Sequence, residues 1–116
     1  MMQLILVASG GAIGSVSRYL LQKAFNSSFP VGTLSVNLLG CFLIGILWAT
    51  STKSLNEQVR IFLMTGFCGG FTTFSAFSLE SVQMMLTGRW MHFSLYILAS
   101  VAGGLLATFL GFKIFS

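Results

Sequence analysis

Charge is what this chain has least of. Six Lys/Arg and two Asp/Glu among 116 residues make it 7% charged, against about 25% in an average soluble domain. That leaves too little polar side chain to cover a globule in water and excludes a soluble monomer. There is one proline, and the mean hydropathy is +0.91, which excludes a solvated disordered chain. The one histidine, His92, stands near the start of the last apolar run, and no nucleophile, base and orienting group can be assembled around it, so the sequence does not read as an enzyme. Cys41 and Cys68 lie inside apolar runs without CxxC or Cys/His spacing and read as packing residues. The net charge of +4 comes from Arg18, Lys23, Lys53, Arg60, Arg89 and Lys113, which stand singly and form no basic patch for nucleic acid. Lipid headgroups are the expected counterpart.

What the chain has in abundance is apolar length. Fifty-five per cent of residues are hydrophobic, and the charges bound uncharged runs at 1–17, 24–52, 61–79 and 90–112. A helix needs about 20 apolar residues to cross the hydrocarbon core. The expectation is therefore an all-α membrane protein, one transmembrane domain over 1–116, with four spans at about 3–23, 32–49, 57–86 and 91–113. The first charge, Arg18, lies inside the first run instead of ahead of it, so that segment is expected to remain as a membrane helix and not to be cleaved. Pro30 with the Asn26/Ser27/Ser28 cluster separates spans one and two, and Ser54 and Glu57 have the spacing of a capping box for span three. The third span looks broken mid-membrane near 69–73, where Gly66, Gly69, Gly70, Thr72 and Thr73 weaken a helix.

Four spans put both termini on one side. Lys53, Arg60 and Lys113 then fall with the termini and Arg18, Lys23 and Arg89 opposite. Orientation is normally fixed by a cytoplasmic excess of Lys/Arg, and three against three carries almost no such signal. One explanation is that copies insert both ways and pair as an antiparallel homodimer, with the two-fold axis in the membrane plane.

Several polar positions inside the spans are candidate functional residues. Gly10, Gly14 and Arg18 follow each other at four-residue steps on span one, the glycines suiting close helix packing. An arginine at membrane depth costs at least ~2.5 kcal/mol unless it snorkels or is partnered, so Arg18 is either a structural anchor or an attractor of anions at a pore entrance. Thr33, Asn37 and Gly40 share a face of span two; the amide of Asn37 either glues helices together or offers N–H donors to an anion. The carbonyls freed by a break in span three need a partner, and a small cation such as sodium held by carbonyls of two subunits is one candidate. Phe74 and Phe77, at i and i+3, are either packing residues or rings whose positive edges meet a small anion. Glu80 is either a titrating site of a proton-coupled transporter or a cap or partner for a basic residue near a helix end. Tyr96, Ser100, Gly104 and Thr108 form a small and polar stripe on span four that serves equally as pathway or packing seam.

These segments, Gly10 to Gly14 with Arg18 Tyr19, Pro30 to Thr33 with Val36 Asn37 and Gly40, and Gly66 to Phe77, together resemble the bacterial fluoride channels called Fluc or CrcB. The resemblance covers the first three spans closely and the fourth more loosely. It implies a dual-topology antiparallel homodimer in the bacterial inner membrane, with two pores and a central structural sodium ion, that passively exports fluoride. It further implies Asn37 as a pore donor, Phe74 and Phe77 as anion-contacting rings, and the backbone carbonyls of Gly69 and Thr72 as sodium ligands. Thr33, Ser75, Tyr96 and Ser100 match pore-lining hydroxyl positions, and Arg18 matches a basic residue of the first helix. Ala76 stands where the family usually carries threonine or serine, and Gly104 where some members carry serine. The alternative is a small multidrug or guanidinium exporter driven by protons; that mechanism calls for a carboxylate in the first span, and this one has none.

Overall fold

A computed structural model of the chain describes residues 1–51 and 53–116. Its elements are α1 (Met2–Phe25), α2 (Val31–Ser51), α3 (Glu57–Arg60), a π-helical segment (Ile61–Cys68), α4 (Gly69–Phe71), α5 (Phe74–Leu86) and α6 (Trp90–Phe115). Among the described residues there is no strand, only an isolated bridge between Asn26 and Pro30. Four helical stretches, Met2–Phe25, Val31–Ser51, Glu57–Leu86 and Trp90–Phe115, are long and apolar enough to cross a membrane. Their ends lie within two residues of those of the four expected stretches.

The connections follow from local chemistry. Asn26 ends α1 in extended backbone, its N–H bonded to Gln22 O at 2.9 Å, and Pro30 opens α2, its carbonyl taking the N–H of Leu34 at 3.0 Å. The start of the third span corrects the expected capping box: the cap is Asn56, whose side-chain oxygen accepts from the Val59 N–H at 2.8 Å. Glu57 is already inside the helix there, paired with Arg60 at 4.0 Å. Gly88, with φ of 73°, turns the chain between α5 and α6.

Glycine decides how the helices pack. A Cβ on Gly10 or Gly14 would run into the backbones of Phe62 and Phe67, one on Gly70 into that of Gly11, and a methyl added to Gly10 or Gly66 would stand 3.1 Å from the Cα of the other. So α1 lies directly on the π-helical segment and α4, backbone against backbone. The expected packing role of Gly10 and Gly14 is what the structure has. Gly45 and Gly111 do the same for α2 and α6, with Phe42 and Thr108 carbonyls filling the place of a side chain. Close approach through small residues is how helices associate where lipid offers no hydrophobic drive.

The third span does break, but at two residues only. Gly69 is in ordinary helical backbone (φ −61°, ψ −38°), whereas Thr72 (φ −90°, ψ 154°) and Thr73 (φ −147°, ψ 117°) are extended. The break thus falls on the two β-branched threonines, while Gly66, Gly69 and Gly70 stay helical. Gly66 and Gly70 are there because α1 leaves no room for anything larger.

Candidate functional site

The break is held by Asn37. Its Nδ2 donates to the Thr73 carbonyl at 3.1 Å and its Oδ1 accepts the Thr73 N–H at 2.8 Å. In an unbroken helix the Thr73 N–H would bond Gly69 O, and the Ala76 N–H would bond Thr72 O. Here the first goes to Asn37, and the second to Thr73 Oγ1 at 3.1 Å, which caps α5. The carbonyls that lose their helical donors are those of Gly69, Gly70, Phe71 and Thr72, whose partners in a continuous helix would be the N–H groups of residues 73 to 76. Of these, Gly70 O receives Arg18 Nε at 3.1 Å. Arg18 thus donates to an otherwise orphan carbonyl at the end of α4 and to Gln22 Oε1 at 3.3 Å.

Beside the break lies a half-open cavity of about 430 Å³, whose walls include Asn37, Gly69, Thr72, Thr73, Phe74, Phe77 and Ser100. Phe74 is 78% exposed on the open side, while Phe77 is 9% exposed and packs ring to ring with Phe74 at 5.7 Å and with Tyr96 at 5.1 Å. The Ser100 hydroxyl is buried in this wall with no hydrogen-bond partner among the described residues. The thiols of Cys41 and Cys68 are free and line the same cavity. Ser75 is exposed, its hydroxyl 3.3 Å from that of Thr73.

A second group of polar residues lies apart from that cavity. Glu80 Oε1 accepts from the Tyr96 hydroxyl at 2.7 Å, and Oε2 accepts from the Thr33 hydroxyl at 2.9 Å and from Asn26 Nδ2 at 3.2 Å. Thr33 and Tyr96 are fully buried. This corrects the reading of Glu80 as a cap or partner for a basic residue: three neutral donors surround it, and the one ion pair among the described residues is Glu57 with Arg60. Phe77, one turn before Glu80 and in contact with Tyr96, joins the two groups.

So the structure gathers Asn37, Phe74, Phe77, Ser100, Gly69 and Thr72 on one cavity, and Thr33, Tyr96 and Glu80 on an adjoining cluster. Sequence reasoning missed Thr73, Gln22 and Asn26. Thr73 meets Asn37 through its backbone, which leaves no sequence trace, while its hydroxyl caps α5, a role that a threonine ahead of a helical run does signal. Gln22 and Asn26 continue the four-residue series from Gly10, Gly14 and Arg18, a polar line on an otherwise apolar helix that could have been followed to its end. Among the described residues no group of three or more His, Cys, Asp or Glu side chains could hold a metal; the hard oxygens present at the break are backbone carbonyls.

A family model described as CrcB-like protein, Camphor Resistance (CrcB), matches residues 5–112. The protein named fluoride-specific ion channel FluC of Leptospira interrogans is 50% identical over 114 residues, covering 93% of this chain and 90% of its own. That of Azobacteroides pseudotrichonymphae is 48% identical, covering 95% and 93%, and that of Phocaeicola vulgatus 46% identical, covering 96% of each chain.

Proposed function

The chain belongs to the CrcB-like family, and on that premise we propose that it is a fluoride-selective passive channel exporting fluoride from the cytoplasm, a multi-pass protein of the bacterial inner membrane and a transporter, not an enzyme. The observation that carries the reading is the cavity in which an amide, two phenylalanine rings and an unpartnered serine hydroxyl meet beside a helix break. Fluoride is small and strongly hydrated, so a narrow path has to replace its water with N–H and O–H donors and with positive ring edges. A lysine or arginine in the path would hold the ion too tightly for conduction. Here the nearest arginine, Arg18, is engaged by Gly70 O and Gln22.

Asn37 offers the second of its two N–H groups, the first being engaged by Thr73. Phe74 and Phe77 supply the rings of the wall, Ser100 supplies a buried hydroxyl there, and Ser75 an exposed one beside Thr73. Thr33 and Tyr96 extend the line of hydroxyls to Glu80. Weak acid HF enters a cell neutral and dissociates inside; the negative-inside potential then moves the anion outward with about 2.3 kcal/mol per 100 mV. No coupled energy source is needed.

The working unit in this reading is an antiparallel dual-topology homodimer with two pores. It is supported by the balanced basic residues on the two sides and by the open side of the cavity, where Phe74 lies exposed in the single chain. The Gly69 and Thr72 carbonyls, deprived of helical donors, suit a hard monovalent cation, and a sodium ion shared between two chains would tie the two breaks together.

The test is fluoride efflux from potassium fluoride-loaded liposomes with valinomycin, read by a fluoride electrode. The wild type should empty the vesicles rapidly with little chloride loss, and Phe74→Ile should slow efflux at least about tenfold, equivalent to about 1.4 kcal/mol. Equal loss of both anions, or crosslinks formed only between parallel partners, would overturn the reading.

A further inference from the structure

Tyr96 and Thr33 have one hydroxyl proton each, and both protons go to Glu80, at 2.7 and 2.9 Å. On that side of Phe77 the hydroxyls keep no O–H for an anion. An ion that passes the Phe77 ring needs a donor that is still unspent.

Ser81 has one. Among the described residues, the buried side-chain hydroxyls without a hydrogen-bond partner are those of Ser81 and Ser100, and Ser81 is 5% exposed. A hydroxyl in an apolar helix ordinarily bonds the carbonyl one turn back. Ser9 does so to Ile5 O at 2.7 Å, Ser17 to Ile13 O at 2.8 Å, Thr50 to Ile46 O at 3.0 Å and Thr87 to Gln83 O at 2.8 Å. Ser81 makes no such bond to Phe77 O, so it carries a desolvation cost that an alanine in its place would not. The buried residues of α5 are Phe77, Ser81 and Met84, at i, i+4 and i+7 on one face of the helix. Phe77 and Met84 of that face form an apolar cluster with Tyr96 of α6, against which Phe93 and Ile97 pack. Ser81 thus sets an orphan O–H into an apolar seam between α5 and α6, one turn beyond Phe77 and away from the break. Ser100 stands on the other side, one turn from Tyr96 and on the wall of the cavity. The packed rings of Phe77 and Tyr96, 5.1 Å apart, separate the two unspent hydroxyls.

We infer that Ser81 is a further fluoride-contacting residue, whose hydroxyl takes over the ion from the Phe77 ring on the side of the α5–α6 turn, as Ser100 meets it on the side of the break. This rests on the channel reading above and deepens it: the next stretch of the path runs along the seam between α5 and α6, and the Glu80 cluster holds the helices together beside it. The residues of the seam, Phe77, Ser81, Met84, Phe93, Tyr96 and Ile97, include no charged side chain. A single neutral hydroxyl gives the ion one hydrogen bond without a positive charge to detain it, which suits a site that has to release as well as bind.

Stability and flux separate this role from packing, because the two should move in different directions. In full-length protein, Ser81→Ala removes only an unpaired hydroxyl, so the thermal midpoint in detergent should stay where it is or rise. Fluoride efflux from liposomes with valinomycin should nevertheless slow about tenfold or more, the effect of losing one hydrogen bond to a charged species. Ser81→Thr keeps the hydroxyl and should stay much closer to the wild-type rate than the alanine variant. Wild-type efflux in Ser81→Ala, with Phe74→Ile slow in the same assay, would overturn the role of Ser81 and leave the channel reading standing. A midpoint that falls together with efflux would make Ser81 a packing residue and overturn it as well. Wild-type liposomes that retain their fluoride would overturn both. Should threonine prove too large for the seam, the alanine variant decides alone.

Discussion

Asn37 and Thr73 exchange two hydrogen bonds, at 3.1 and 2.8 Å, across a helix that has lost its own ladder at that point. One side chain on α2 thereby stands in for a backbone partner on the third span and keeps extended backbone satisfied at membrane depth, where an unpaired group costs several kcal/mol. The first prediction follows. Asn37→Asp retains an acceptor for the Thr73 N–H but sets an oxygen against the Thr73 carbonyl. Fluoride efflux should fall at least about tenfold, about 1.4 kcal/mol, and the thermal midpoint of the detergent-solubilised protein should fall with it. Wild-type efflux in this variant would show that the clamp is not needed.

The two rings should respond differently. Phe74 is exposed in the single chain, whereas Phe77 is buried against Tyr96. Phe74→Ile should slow efflux with little change in monomer stability. Phe77→Ala should also loosen the fold by about 3 kcal/mol, the usual cost of emptying a buried aromatic site. Efflux and thermal melts of both variants check this together.

Glycines that look alike in the sequence should differ as substitution sites. A Cβ on Gly14 would collide with the Phe67 carbonyl, while one on Gly69 has nothing within 4 Å in the single chain. Gly14→Ala should destabilise the protein by roughly 1–3 kcal/mol, and Gly69→Ala should leave the monomer intact. If Gly69→Ala nevertheless weakens dimerisation, measured by subunit exchange in micelles, the effect belongs to the subunit contact.

Sodium removal is expected to weaken the assembly. Replacing sodium by N-methylglucamine on both sides of the membrane should lower efflux or speed subunit exchange if the Gly69 and Thr72 carbonyls hold the ion between chains. Efflux and exchange unchanged after exhaustive removal would exclude that role.

Glu80 distinguishes a leak from a pump. Glu80→Gln places a neutral amide among three donors, so efflux should fall by disturbed hydrogen bonding. In neither wild type nor variant should an imposed proton gradient accumulate fluoride against its own gradient. Uphill accumulation in the wild type, lost in Glu80→Gln, would favour the proton-coupled exporter instead.

Much of the fold could be read without coordinates because the demand for apolar length is one-dimensional. Eight charged residues delimit four runs, and each became a span. Asn37, Phe74, Phe77 and Ser100 were legible as candidates because polar and paired aromatic residues stand out in apolar helices, and they do meet on one cavity. The break was assigned too broadly because glycine lowers helix propensity wherever it stands, yet Gly66, Gly69 and Gly70 remain helical. Their purpose depends on α1, which propensity along one strand of sequence does not contain. The capping box failed for a similar reason: Ser54 and Asn56 are both good caps, and the position at which the chain turned into helix chose between them.

By itself, the sequence determined that this chain belongs in lipid, that it carries four stretches long enough to cross, and that the third of them is the weakest helix, since each of these follows from residue type and spacing. Tertiary structure alone decided which hydrogen bonds the break makes. Thr73 finds Asn37, Gly70 finds Arg18, and Glu80 finds Thr33, Tyr96 and Asn26 instead of a cation. Hydrogen bonds join groups up to 63 residues apart here, and in a solvent without competing donors their pairing is settled by which helices lie side by side.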